Sequence, residues 1–288
     1  MHYAIITNPV SGKMSADQKR SALAKPAEIL NAEIYGLDTV TAEDFGQCAS
    51  DLASKCDVLV AAGGDGTLSD VINSINLEQT TISYLPLGSG NSVGYALGLK
   101  GSLSRMAMRI KKGRIHQYDL IDCDGKRRAF MSSVGIEGTI LKLRDQYLTQ
   151  GSSGFSVYFR AVLEAYFKEY KRLLAEITID GFTFTVKDLL TLMVFKQPYY
   201  GYGMRIIPRA RFDDGLLHIL SINSGLFGTI IGAATSFTVG NRVGQYLTGR
   251  QLAIRLKRPA VLQVDGNMGW KSEAFSFSVL PEALKIKC

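Results

Sequence analysis

The rhythm of apolar and polar positions changes once along this chain. Up to about residue 122, short apolar runs at 3–7, 58–62 and 81–85 alternate with stretches of helical spacing at 18–30, 44–54, 68–75, 92–97 and 103–111. In the 18–30 stretch, Leu23, Ala27 and Leu30 fall on one side, as a half-buried helix requires. Strands alternating with helices predict a parallel sheet covered on both faces, a Rossmann-like three-layer α/β/α domain over residues 1–122. From 123 to 288 the runs become β-branched and aromatic and are spaced by turn signals. Strands are predicted at 130–133, 175–179, 182–186, 189–195, 216–222, 251–256 and 260–264. Ile179-Asp180-Gly181-Phe182 is a hairpin turn between two of them. The pattern predicts an antiparallel β-sandwich interrupted by helices at 155–174 and about 226–246. The runs at 275–279 and 284–286 leave open a return of the last twelve or so residues to the first domain.

Composition narrows the class. With 46% hydrophobic and 20% charged residues in 288, the chain is ordinary globular material. The longest apolar stretch, 226–239, is broken by Gly228, Thr229, Gly232, Thr235, Ser236 and Thr238, so no transmembrane segment is expected. The first residues lack the basic-then-apolar layout of a signal peptide and read as a strand. Cys48, Cys56, Cys123 and Cys288 form no C-x-x-C pair and read as free thiols in a reducing, cytoplasmic setting. His2, His116 and His218 are scattered and suggest no metal cluster. A net charge of +7 favours an anionic partner. The densest basic run (Arg105, Arg109, Lys111, Lys112, Arg114, then Lys126 to Arg128) reads as a solvated helix face or as a membrane-facing patch. No nucleic-acid-binding signature accompanies it.

The chemistry is concentrated in three glycine-rich turns, each following a predicted strand: Asn8-Pro9-Val10-Ser11-Gly12-Lys13, Gly63-Gly64-Asp65-Gly66-Thr67 and Pro86-Leu87-Gly88-Ser89-Gly90-Asn91. In an open parallel sheet the carboxyl ends of the strands share one edge, where ligands bind, so the three turns should converge. Glycines let backbone amides approach an anion, and a helix starting after the turn adds partial positive charge. Lys13 and Arg20 can add full charges. None of the turns matches G-x-x-x-x-G-K-[ST]. Asp65 would repel a phosphate unless a cation lies between them. It therefore reads as a contact to the Mg²⁺ of MgATP, as an acceptor of a hydroxyl proton, or as a turn residue making an Asx bond.

The set NPVSG, GGDGT, PLGSGN, ARFDDGLLHI at 210–219 and QVDGN at 263–267 resembles the diacylglycerol kinase / sphingosine kinase superfamily, including its bacterial soluble lipid kinases, over nearly the whole chain. The resemblance implies a lipid kinase that uses ATP and Mg²⁺, peripheral to a membrane, with its active site between a nucleotide-binding domain and a lipid-binding β-sandwich. By position it assigns ATP to Asn8, Pro9, Ser11, Gly12, Gly64, Gly66, Thr67 and Ser89, joined from the turn chemistry by Lys13, Arg20, Gly63, Gly88, Gly90 and Asn91. It makes Asp65 the essential acid. It assigns a structural Mg²⁺ to Asp214 and the carbonyls of Arg211 and Leu216, with Asp119 linked through water. Two departures bear on this. Ser92 stands where the family has an acid, and Asp265-Gly266-Asn267 replaces a D-G-E motif whose Glu is the proposed base. Asp65 can then take the proton, with Asp265 nearby and Asn267 orienting the hydroxyl. Alternatively the chain is a weak or inactive nucleotide- or lipid-binding pseudokinase, or an enzyme of NAD kinase type. The acceptor lipid would lie under the 226–246 segment. A homodimer is left open.

Overall fold

The structure, a computed structural model, describes residues 1–151 and 155–288. The first half alternates as the sequence predicts. Strand β1 (Tyr3–Ile6) is followed by α1 (Ala16–Leu30), β2 (Glu33–Tyr35), α2 (Ala42–Ala53), β3 (Val58–Gly63), α3 (Asp65–Ser74), β4 (Thr81–Pro86), α4 (Ser92–Ala96) and α5 (Leu103–Lys112). Helices α1 and α2 each start at a capping box, Ser15 with Gln18 and Thr41 with Asp44, which satisfies amides that the first turn leaves without partners. Strands β2, β1, β3 and β4 lie side by side in parallel. Every residue of β1 and β3 is buried, which is why both read as unbroken apolar runs.

The second half contains β5 (Ile115–Cys123), β6 (Arg127–Ala129), β7 (Met131–Gly135), α6 (Ile136–Thr149) and α7 (Phe155–Glu164), which runs on into a π-helical turn at Ala165–Glu169. Then come β8 (Leu173–Ile179), β9 (Phe182–Leu189), β10 (Thr191–Phe195), β11 (Tyr199–Gly201), β12 (Met204–Arg205), β13 (Leu217–Ile222), α8 (Leu226–Ser236), β14 (Gln245–Gly249), β15 (Gln251–Val264) and β16 (Asn267–Lys287). Three of its hairpins turn on Asp-Gly pairs with both residues at positive φ: Asp124-Gly125, Asp180-Gly181 and Asp265-Gly266. That is the type I′ geometry, whose twist matches the strands it joins.

One hydrogen-bonded sheet runs through both halves, in the order β14-β13-β10-β7-β15-β16-β4-β3-β1-β2. Strand β16 makes the connection. It is antiparallel to β15 and β5, and its last residues pair in parallel with β4, Lys285 opposite Thr81 and Ile286 opposite Ile82. Its Leu284 and Ile286 are buried in the core of the first half. The result is the mixed α/β architecture that the sequence predicts, an α/β domain joined to a β-sandwich-like one.

Several elements differ from the sequence reading. Helix α6 was not anticipated, although Ile136, Ile140, Leu143 and Tyr147 supply a buried helical stripe. The helix expected over 155–174 gives way to β8 at Leu173. The helix expected to Tyr246 stops at Ser236, because Gly240 and Gly244 take positive φ and the chain re-enters the sheet as β14. The two strands expected at 251–256 and 260–264 are one strand, with its register shifted between Arg255 and Ala260 where Pro259 cannot donate. No helix among the described residues is long and apolar enough to cross a membrane.

Candidate active site

The three glycine-rich loops follow three neighbouring parallel strands, β1, β3 and β4, and so stand on one edge of the sheet. The second and third are in backbone contact. Leu87 N–H donates to the Gly63 carbonyl at 2.8 Å, and a Cβ on Gly88 would lie 2.4 Å from the Gly64 Cα. Only glycine permits that approach. Thr67 packs its side chain where a Cβ on Gly63 would go. Asn91, itself left-handed, donates from Nδ2 to the Gly88 carbonyl at 2.6 Å and closes the third loop. Ser89 is exposed at its tip.

The first loop is held by a residue that the sequence reading passed over. Lys19, on α1, is buried, and its ammonium donates to the carbonyls of Asn8 at 2.6 Å and Pro9 at 2.8 Å, with Ser11 Oγ at 3.4 Å. Burial holds its pKa below the ordinary lysine value. Gly12 is exposed at φ 71°, and Lys13 beyond it reaches the neighbouring cleft. Arg20, expected to serve the same ligand, lies on the exposed face of α1 and pairs with Asp17 at 3.0 Å.

The cleft has a volume of about 330 Å³ and brings together Lys13, Asp65, Gly66, Gly90, Asp265 and Asn267 from the sequence-predicted set. Asn8, Pro9, Ser11, Gly12, Gly63, Gly64, Thr67, Gly88, Ser89 and Asn91 belong to the adjoining loops and do not line it. Asp65 opens α3, and its carboxylate accepts from the amides of Ser92 at 2.8 Å and Val93 at 3.1 Å. Burial raises its pKa, opposed by those two amides and by the Ser92 hydroxyl. A neutral serine here spares Asp65 the charge of a second acid.

Asp265 occupies the first corner of the β15–β16 hairpin, buried and at φ 47°. Its Oδ1 accepts from the amides of Phe130 at 3.0 Å and Met131 at 2.9 Å. Burial pushes its pKa to about 7; the Ser69 hydroxyl and those amides pull it down, and the Asp65 charge adds to the rise. The Asn267 side chain lies against Gly66, its Nδ2 3.1 Å from where a Cβ would stand.

The opposite wall was not foreseen. It is formed by Leu141, Arg144 and Leu148 of α6, Val157 and Tyr158 of α7, and the 200–204 hairpin. Tyr202 N–H donates to the Gly90 carbonyl at 3.0 Å, tying that hairpin to the third glycine loop. Arg144 reaches the Gly266 carbonyl at 3.4 Å. Elsewhere in this half, Glu137 is buried and accepts from Thr191 Oγ1 at 2.6 Å, with its pKa raised to about 7 by burial. Of the 226–246 segment expected to cover the acceptor, helix α8 exposes Phe227, Ile230 and Ile231 and does not line this cleft, while Val239 to Gly244 and Tyr246 line a separate cavity of about 460 Å³.

Asp119, Asp214 and the Leu216 carbonyl, expected at a structural metal, are gathered around a different cation. The Lys196 ammonium, fully buried, lies 2.8 Å from Asp119 Oδ2, 2.9 Å from Asp214 Oδ1 and 2.6 Å from the Leu216 carbonyl. Asp214 Oδ2 lies 2.9 Å from His218 Nε2, and the backbone N–H of Arg211 also points to that nitrogen at 3.2 Å. A divalent ion does not fit between Asp119, Asp214 and the Leu216 carbonyl, because the Lys196 ammonium fills that position; the Arg211 carbonyl is not among the groups that meet it. Among the described residues no group of three or more His, Cys, Asp or Glu side chains could hold a metal.

The comparisons with known proteins agree with this layout. Residues 2–123 match the diacylglycerol kinase catalytic domain, and residues 132–288 match the YegS C-terminal NAD kinase beta sandwich-like domain. A diacylglycerol kinase of Staphylococcus saprophyticus is 24% identical over 279 residues, spanning 93% of this chain and 89% of its own. One of Bacillus subtilis is 22% identical over 275 residues, spanning 92% and 89%. The crystal structure of a diacylglycerol kinase from Bacillus anthracis str. Sterne superposes with a TM-score of 0.74 at 19% identity, over 99% of this chain and 96% of that one. An NAD kinase from Archaeoglobus fulgidus in complex with ATP superposes with a TM-score of 0.53 at 12% identity, over 99% and 93%. At such identities the two structures speak for the fold alone. The catalytic-domain match, the sandwich match that covers more than half of the residues, and the shared fold together mean that this chain belongs to the diacylglycerol kinase family of lipid kinases.

Proposed function

We propose that the chain transfers the γ-phosphate of MgATP to a hydroxyl of a lipid, with the acceptor entering the cleft between the glycine-loop edge and α6–α7. The observation that carries this reading is the meeting of two acids, Asp65 and Asp265, at a cleft whose near side is glycine backbone and whose far side is apolar and tyrosine-rich. The near side suits polyphosphate: Gly66 and Gly90 at the cleft, and Gly12 and Gly64 beside it, carry no side chain to hold an anion off, and Lys13 adds charge. The far side suits an acyl chain, with Leu141, Leu148 and Val157 along it.

Asp65 is the group we assign to the proton of the acceptor hydroxyl or to the metal carried in by the nucleotide. The Ser92 and Val93 amides fix its orientation, and its raised pKa brings it nearer a pH at which it can exchange a proton. Asp265 holds the hairpin that presents Asn267, and Asn267 orients the acceptor. Phosphoryl transfer depends mainly on positioning and charge stabilisation, so an asparagine in place of a glutamate is compatible with turnover. The exposed Phe227, Ile230 and Ile231 of α8 and Phe159, Leu163 and Phe167 near α7 supply an apolar surface for meeting lipid at a membrane, with the chain in the cytoplasm.

The test is incubation with γ-labelled ATP, Mg²⁺ and vesicles of mixed diacylglycerol, sphingoid base and phospholipid. Label should partition into organic solvent, and Asp65→Asn should lower the rate about 10³-fold. Asn267 favours a second reading, a pseudokinase that binds nucleotide or lipid without product. That reading predicts a melting temperature raised by ATP with no labelled lipid, and a large gain of activity in Asn267→Glu.

A further inference from the structure

The arrangement around Lys196 is an oxygen cage of the kind that usually surrounds a metal ion: two carboxylates and a backbone carbonyl, all buried or half-buried. Its four contributing segments are far apart in sequence. Asp119 belongs to β5, Lys196 follows β10, and Asp214 and Leu216 form the turn before β13. The fourth is β16, whose Glu282 N–H donates to Asp119 Oδ1 at 2.9 Å. Gly215 N–H adds a bond to Asp119 Oδ2 at 2.8 Å, and Leu216 N–H one to Asp214 Oδ1 at 3.2 Å. The base of the lysine is fixed as well, with its own N–H on the Phe130 carbonyl at 2.9 Å. An ammonium has three donors, and here each has a separate acceptor at hydrogen-bond distance. Mg²⁺ demands oxygens at about 2.0–2.1 Å in an octahedron, which this space cannot supply while Nζ stands in it.

We propose that Lys196 is a tethered cation that closes the junction between the two halves of the molecule without a divalent ion. The strand that opens the second half (β5), the strand that returns to the first (β16) and the turn that starts β13 are clamped on one covalently attached positive charge. Because that charge cannot dissociate, the clamp is independent of free metal concentration. Any divalent requirement of this chain then lies in what its cleft binds. The inference does not rest on the kinase reading, since it concerns the free protein.

The experiment is thermal melting of the nucleotide-free protein after exhaustive dialysis against EDTA, and again with millimolar MgCl₂, together with elemental analysis of the purified chain. The wild type should melt at one temperature in both buffers and carry no stoichiometric divalent ion. Lys196→Met, which keeps the bulk and removes the charge, should melt about 10 °C lower in both. Lys196→Ala, which empties the cage, should melt low in EDTA and recover part of the loss with Mg²⁺. A wild type that loses stability in EDTA, a stoichiometric divalent ion in the purified chain, or a Lys196→Met variant as stable as wild type would each overturn the proposal. If neither variant folds, the two wild-type measurements still decide.

Discussion

Two pairs of aspartates, one at the buried Lys196 and one at the cleft, are treated oppositely. Asp119 and Asp214 share the ammonium of Lys196. Against the rise that burial causes, the hydrogen bond Lys196 donates to Asp214 and, separately, the charge of nearby His218 hold the Asp214 carboxyl below the usual range. Asp65 and Asp265 share no cation among the described residues. Their oxygens meet backbone amides, and burial pushes both pKa values up. One pair is neutralised inside the protein and serves as structure. The other has no counter-ion among the described residues and is pushed toward its neutral form beside an open cleft, the setting in which perturbed acids are candidates for chemistry.

The contrast can be broken at either end, and the largest effect is expected at the open one. Asp265 should stabilise the fold only while protonated. Its pKa is about 7 in the folded chain against an ordinary 3.8, so the folded state holds the extra proton across that window and stability falls as pH rises through it. Asp265→Asn removes the buried charge and keeps an acceptor for the Phe130 and Met131 amides. By urea melts at pH 8 it should exceed wild type by up to ~4 kcal/mol, with the gap closing as pH falls toward 4. At the closed end, Asp119→Asn leaves Lys196 half-compensated and should cost about 3 kcal/mol at pH 7, measured the same way. If the first variant destabilised at pH 8, or the second were silent, the two pairs would not differ as their surroundings indicate. Lys19 sharpens the point, being a second buried ammonium that holds a loop by carbonyls. Lys19→Ala should lose about 2 kcal/mol in a melt and weaken any protection by ATP. Arg20→Ala, one residue on and paired with exposed Asp17, should change stability by less than ~0.5 kcal/mol.

The glycine loops were legible because their chemistry is local. A strand followed by Gly-Gly-Asp-Gly must turn with little side chain in the way, and parallel strands put such turns on one edge. The Asp180-Gly181 hairpin was legible for the same reason, since two positive φ angles in succession select those residues; Asp124-Gly125 and Asp265-Gly266 turn the same way, but each adjoins strand residues the pattern did not mark. Lys196 was illegible. It follows an apolar strand, two residues before Pro198, and nothing near it in sequence announces a charge to be buried. Its partners are 77 residues upstream in Asp119 and 18 downstream in Asp214. Arg144, Tyr158, Tyr200 and Tyr202 escaped because α6, α7 and the 199–205 hairpin reach the cleft only through packing.

By itself, then, the sequence determined the alternation of the first half, the Asp180-Gly181 hairpin of the second, and the family. Those follow from periodicity, backbone steric limits and short motifs, all of which act within a few residues. Tertiary structure alone decided which cation each aspartate would face, and which wall would oppose the glycine edge. Both are questions of burial, and the cost of burying a charge is set by neighbours that folding brings in from distant parts of the chain.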